Sequence, residues 1–405
     1  MKKSLFPVLL LCACFSLHAQ EQLSVLTGNK LLYRKSTAAS LLQSRGEARF
    51  IHQPSLLLPF IEDFSYESPY ADSTLWCDST AFVNRSFGFR TPSWGCVTLD
   101  AVDANGRVYA HASTAPFPAD TLTSKPIRLD SVFSPIARKL TAADSVYFSF
   151  FYQPGGGLHN HPWEGLGDAP ESGDSLILEF GYYTGDTICL SADSSVRTLQ
   201  IQWKRVWASP GMELEKFMQV EHLDTFLCFK QVMIAVTDSC FFNQGFRFRF
   251  RNMASLEYSS GNPTWAGNVD FWNIDYIRLD RGRTCKDTFI DDITIASNPG
   301  GILRNYEAMP WHQFTTTELK NGFEVELLNL SDVTKNASYC YSVTDAQGKH
   351  LSDYDGGAYN ILYYRNGGFQ SYAPHAKPAL SNLNLNLSGQ TDIYVTHIHS
   401  EAGAG

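Results

Sequence analysis

Residues 246–251 alternate strictly, so an extended chain puts Phe246, Phe248 and Phe250 on one side and Arg247, Arg249 and Arg251 on the other. That pattern predicts a strand with one buried face and one wet face. Residues 144–152 and 174–180 are short apolar, β-branched or aromatic runs that open with Asp and Ser, and both predict strands. Residues 268–279 show mixed period-two patterning and predict another. Between 57 and about 280 such segments are separated by clusters of Gly, Pro, Asp and Ser, while only residues 212–219 suggest a helix.

The pattern then breaks. Residues 281–309 contain Asp291, Asp292 and the run Asn298-Pro-Gly-Gly301, with Pro310 just beyond, and are expected to form a linker. A second series follows at 322–329, 337–344 and 391–397, with a turn at 346–349. The expected fold class is therefore all-β: a jelly-roll sandwich over 57–280, then an immunoglobulin- or fibronectin-like sandwich over 310–405. Neither heptads nor an internal repeat is visible, and a monomer is expected.

Composition agrees with this reading. Aromatic residues make up 13% of the 405, a bias that suits pleated, half-buried surfaces. A formal charge of -9 argues against a nucleic-acid partner, which would need a basic face. Lys2 and Lys3 precede an apolar run from Leu5 to Leu17, which ends at Leu17-His-Ala19. Residues 1–19 thus have the form of a secretory signal peptide, with 20–56 as a polar lead-in, and the protein is expected to be exported to the periplasm, outer surface or medium. Leu11-Cys-Ala-Cys14 resembles a lipoprotein cleavage box, but simple secretion is the expectation. No later run is long enough to predict a membrane span. Cys77, Cys96, Cys189, Cys228, Cys240, Cys285 and Cys340 remain after cleavage, with no CxxC spacing. Cys77 with Cys96 and Cys228 with Cys240 are the nearest candidates for pairing, although small buried thiols are the expected majority.

Several phrases carry a resemblance. Leu58-Pro-Phe-Ile-Glu-Asp-Phe64 resembles the opening strand of jelly-roll adhesin modules of the MAM and cleaved-adhesin type. Pro92-Ser-Trp-Gly-Cys-Val-Thr-Leu-Asp100, followed by Asn105-Gly-Arg-Val-Tyr109, is similar to their next block. Ala119-Asp-Thr-Leu-Thr-Ser-Lys-Pro-Ile-Arg-Leu129 is similar to the strand that introduces the second sheet, and Phe271-Trp-Asn-Ile-Asp-Tyr-Ile-Arg-Leu-Asp280 to the closing strand. Their order resembles large surface proteins exported by the type IX secretion route, though no C-terminal sorting domain of that route is visible. Asp followed by Ser or Thr, at Ser73, Ser79, Thr121, Ser131, Ser145, Ser175 and Thr187, resembles the O-glycosylation motif of the same bacteria.

Glu62 and Asp63 sit in the opening phrase, Asp275 in the closing one, and Asp100 ends the second block. In a jelly roll the terminal strands are often neighbours, so these carboxylates are candidate ligands for calcium, a hard cation that takes oxygen. The resemblance implies the same, since related modules carry structural calcium. Two further metal candidates are His159 and His161 with Glu164 or Asp168, and the pair His397 and His399. There is no G-x-S-x-G, H-E-x-x-H or P-loop, and catalysis is not expected. Trp76, Trp94 and Trp272 are assigned to the core, whereas Trp163, Trp207 and Trp265 are candidate ligand-binding aromatics. The expected function is adhesion or recognition of a glycan or of an envelope or host protein. A polysaccharide-binding accessory module is the alternative, and a glycoside hydrolase a more distant one.

Overall fold

A computed structural model describes residues 55–156, 169–189, 197–223, 228–256, 270–295, 301–306, 308–320, 326–345, 347–363, 369–371 and 394–402. The expected signal peptide and nearly all of the expected lead-in fall outside these residues. No helix among the described residues is long and apolar enough to cross a membrane. The protein is an all-β sandwich.

Two antiparallel sheets make its first part. One has the order β10-β7-β12-β3-β2, with β1 also pairing β12. Its strands are β1 (Phe60–Glu62), β2 (Phe82–Asn84), β3 (Cys96–Leu99), β7 (Tyr147–Pro154), β10 (Lys230–Ala235) and β12 (Trp272–Asp280). The other has the order β4-β11-β8-β9, from β4 (Phe117–Thr123), β8 (Ser175–Cys189), β9 (Arg197–Pro210) and β11 (Arg247–Ala254). β5 (Ser131–Val132) and β6 (Arg138–Lys139) form a separate hairpin ladder. The helix expected at 212–219 is α1 (Leu214–Val220), which buries Leu214, Phe217 and Met218.

The aromatic bias has a direct structural meaning. β11 buries every second residue, as its alternation predicts. Phe248 meets Phe148 of β7 at 4.6 Å and Phe60 of β1 at 5.2 Å between ring centroids, and Phe250 meets Phe150 at 4.8 Å. Most of these contacts are edge-to-face, the arrangement that ring quadrupoles favour. Each fully buried Phe contributes about 1.5–3 kcal/mol of transfer free energy.

β7 is buried along nearly its whole length rather than on alternate residues, because both of its faces are covered. Phe148, Phe150 and Tyr152 face the sandwich core. Phe151 faces the other way, into a cluster with Phe229, Tyr276, Leu328 and Leu330. Leu328 belongs to β14 (Glu326–Asn329), in the second strand series, so that series packs directly on the first sandwich. Two three-stranded antiparallel sheets make up the second series. One is β13-β14-β17, from β13 (Ile293–Ile295), β14 and β17 (Phe369–Ser371). The other is β16-β15-β18, from β15 (Lys335–Asp345), β16 (His350–Ile361) and β18 (Tyr394–Ala402).

Within the expected linker, described residues bond to the first sandwich. Arg283 is buried and bonds to Asp287 at 2.6 Å and to the Ser149 hydroxyl at 2.9 Å. Thr294 of β13 donates its hydroxyl to the Pro92 carbonyl at 2.8 Å. Within 281–295, Arg283 and Thr294 are buried against the sheet, whereas Arg281, Thr284, Lys286 and Asp291 are exposed. Polarity alone does not distinguish the two cases.

Candidate functional site

The four carboxylates expected to hold calcium do not act as one ligand set. Glu62 on β1 is buried, and both of its oxygens are already used. One accepts the Phe64 amide and the other the Trp76 indole N–H, each at 3.0 Å. Burial pushes its pKa up, against the two bonds that favour its charge. Asp275 on β12 is likewise satisfied: it accepts the Ser93 amide at 2.8 Å, the Ser93 hydroxyl at 2.9 Å and the Tyr276 amide at 2.6 Å. Asp63 caps the Ser65 amide at 3.1 Å. The adjacency of β1 and β12 is real, but strand pairing places Glu62 opposite Ile277 rather than Asp275.

Asp100 lies elsewhere, beside Asp120 of β4. Both are buried, at 2% and 1% exposure. Asp120 accepts the Asp100 amide at 2.8 Å and the Tyr109 hydroxyl at 2.6 Å, and Asp100 accepts the Val102 amide at 2.7 Å. Burial raises both pKa values, that of Asp100 to about 7, and the Asp100 charge raises Asp120 further. Their chemistry is that of carboxyls sharing a proton. At this exposure they are sealed from any substrate.

Of the aromatic candidates, Trp163 and Trp265 lie outside the described residues, as do His159, His161, Glu164 and Asp168. His397 and His399 lie on β18, in register with Ser342 and Cys340. Trp207 is half-buried and packs against the sandwich core. Its ring meets Tyr152 at 4.7 Å and Phe150 at 5.1 Å. Trp76 and Trp272 are core residues as expected, whereas Trp94 is half-buried under the Arg85 guanidinium at 4.8 Å. Cys96 and Cys240 are free thiols, so neither candidate cysteine pair forms. Of the Asp-Ser positions, Ser73, Ser79 and Ser145 are exposed.

Trp203 is half-buried and lies on the other face of β9 from Trp207. It pairs with Gly181 of β8, and a Cβ at Gly181 would come within 2.9 Å of the ring, so the glycine lets the indole lie flat across the strand. The Arg249 guanidinium sits over that ring at 4.1 Å. Arg249 also bonds to Glu179 at 2.6 Å, and Arg251 reaches the other Glu179 oxygen at 3.2 Å. Burial works against the Glu179 charge, but the two guanidiniums outweigh it and hold its pKa below the usual range. Arg205 stands opposite Glu179, and Arg247 reaches the Tyr183 hydroxyl at 3.4 Å. The outer face of this sheet is therefore a preorganised basic and aromatic surface.

A second group of carboxylates was not visible in the sequence. Glu171, Asp174 and Asp270 bring one oxygen each within 4.8 Å of one another, and among the described residues they are the only such group of three or more metal-binding side chains. Glu171 and Asp174 belong to the turn before β8, and Asp270 precedes β12.

No protein-family model matches the chain, and no curated protein matches it. Among solved structures it is similar to the glycoside hydrolase domain of Endo-D from Streptococcus pneumoniae, with 7% identity over 86% of this chain and 43% of that one, and a TM-score of 0.24. It is also similar to a Bacteroides uniformis β-glucuronidase, with 9% identity over 85% of this chain and 30% of that one, and a TM-score of 0.25. The chain thus spans less than half the length of either enzyme. Likeness this shallow leaves their activities with them.

Proposed function

We propose that the protein is an exported, non-catalytic recognition module of the cell envelope that holds an acidic glycan on the outer face of the β4-β11-β8-β9 sheet. The observation that carries this reading is Arg249, poised over Trp203 and braced, together with Arg251, by Glu179. A guanidinium offers a planar fork of donors that suits carboxylate or sulfate, and stacking on the Trp203 indole holds that fork in place. Both sit on strands, where bracing reduces the entropy lost on binding. The resemblance to adhesin modules agrees with such a role. The sealed position of Asp100 and Asp120 supports binding over hydrolysis, since a general acid must reach the glycosidic oxygen. In this reading calcium is a structural ion and not a reagent.

The test is retention on immobilised polysaccharides. Polygalacturonate or a sulfated polymer should retain the protein, salt should release it, and a neutral glucan should not retain it. The double variant Arg249→Ala, Arg251→Ala should bind at least about tenfold more weakly, the scale of a lost charge-assisted bond. Equal retention on acidic and neutral polymers, or undiminished binding by the variant, would overturn the proposal.

A further inference from the structure

The turn before β8, the end of β11 and the approach to β12 converge on the carboxylates of Glu171, Asp174 and Asp270. Every donor bonded to them among the described residues is neutral. Ser255 gives its amide to Asp270 at 2.5 Å, and its hydroxyl lies 3.0 Å from Asp174 and 3.3 Å from Glu171. The Glu171 amide donates to Asp174 at 3.1 Å. A second, independent observation is that Asp174 Oδ1 and Asp270 Oδ1 are buried and have no hydrogen-bond partner, although each residue is only 1% exposed. Glu62 and Asp275 show the contrast, for their oxygens are all bonded.

Two orphaned carboxylate oxygens in a group of three acids make a costly arrangement. Burial, with the neighbouring carboxylates adding to it, pushes Asp174 to about 7 and Asp270 to about 9. A proton would relieve the repulsion, yet it leaves part of the oxygen valence unmet. A cation meets both needs at once. The donor set contains oxygen alone, with no imidazole or thiolate, which selects a hard cation. Its ligands come from three separate segments and most of them are carboxylates, which suits calcium's flexible 6–8 oxygen shell better than magnesium's, which keeps several waters and one or two carboxylates. Glu171 is exposed, so the site is open on one side for the ion and for the waters that complete its shell.

We infer that Glu171, Asp174 and Asp270, with the Ser255 hydroxyl, form a calcium site that ties the turn before β8 to the end of β11 and the start of β12. The inference goes beyond the recognition reading and does not depend on it, since the site involves none of the residues of the Arg249 face.

The experiment uses the full mature protein, freed of metal and then titrated with calcium chloride by calorimetry. Thermal unfolding is followed in parallel in calcium and in chelator. One calcium should bind per chain, and calcium should raise the melting temperature by several degrees. Asp270→Asn should lower calcium affinity at least about tenfold, because ligand charge sets affinity in such sites. In chelator this variant should melt no lower than the parent, since it removes repulsion while keeping an acceptor for the Ser255 amide. Asp174→Asn provides the same test if Asp270→Asn does not fold. Glu62→Gln and Asp275→Asn should leave the calcium shift intact. Equal melting in calcium and chelator would overturn the inference. So would a calcium shift that survives in Asp270→Asn and Asp174→Asn, or one abolished by Glu62→Gln or Asp275→Asn instead.

Discussion

Ser93 gives both its amide and its hydroxyl to the Asp275 carboxylate, at 2.8 Å and 2.9 Å, across a sequence separation of 182 residues. This contact fixes the loop after β2 onto the closing strand β12, and it explains why Asp275 has no oxygen to offer a metal. Ser93→Ala should therefore destabilise the fold by about 1–3 kcal/mol, the cost of leaving a buried acceptor short of a donor. Urea unfolding monitored by tryptophan fluorescence would check it. A midpoint unchanged from the parent would show that the contact contributes nothing.

The Asp100–Asp120 pair makes a prediction about pH. Burial raises the folded-state pKa of Asp100 from 3.8 to about 7 and raises Asp120 in the same direction. The folded state thus binds protons more tightly than the unfolded chain. The stability this pair contributes is present below about pH 4 and is lost as pH rises towards 7. Asp100→Asn keeps an acceptor for the Val102 amide and gives Asp120 a permanent donor. Relative to the parent, it should gain stability steadily from pH 5 to pH 8 in denaturant titrations. Parallel curves for the two proteins would contradict the shared-proton account.

Leu328 joins the second strand series to the first sandwich through Phe151, Phe229 and Tyr276. Leu328→Ala should cost about 2–5 kcal/mol, as is usual for a buried leucine. It should also release residues 281–309, so that limited proteolysis cuts there early in the variant and late in the parent. Identical cleavage patterns would mean that this cluster does not hold the two parts together.

Gly211 packs against backbone, not against a movable side chain. A Cβ there would lie 1.9 Å from the Glu171 carbonyl oxygen. Gly211→Ala should destabilise by about 1–3 kcal/mol through overpacking. Because it displaces the turn that carries Glu171 and Asp174, it should also weaken calcium binding without removing any ligand. Wild-type affinity in a stably folded Gly211→Ala protein would separate that turn from the site.

How far the sequence was legible depended on whether a local period decided the matter. The Phe and Arg alternation of 246–251 placed both faces of β11 correctly, and 212–219 located the helix. Trp203 and Trp207 show where this fails. Four residues apart on a regular strand, they would share a face, but a register shift puts Arg205 opposite Glu179 and Trp207 opposite Leu178. That irregularity turns Trp207 towards the core and leaves Trp203 on the opposite face, a difference that strand alternation alone does not predict. Terminal-strand pairing was also foreseen, since β1 does lie on β12, but the pairing register put Ile277 where Asp275 was expected. The group at Glu171, Asp174 and Asp270 had no sequence signal beyond acids placed just before strands. Only the long-range topology brings Asp174 and Asp270 together.

The pairing of β1 with β12 also has a mechanical consequence. Phe60 opposes Leu279 and Glu62 opposes Ile277, so the start of β1 and the end of β12 lie together at one end of an antiparallel ladder. Tension applied between those two points would open that ladder as a zipper, one residue pair at a time, and not shear all three pairs together. Such a junction would yield at low force, and its opening would draw Phe60 away from Trp76 and Phe248, so the aromatic core would resist from the first pair onward.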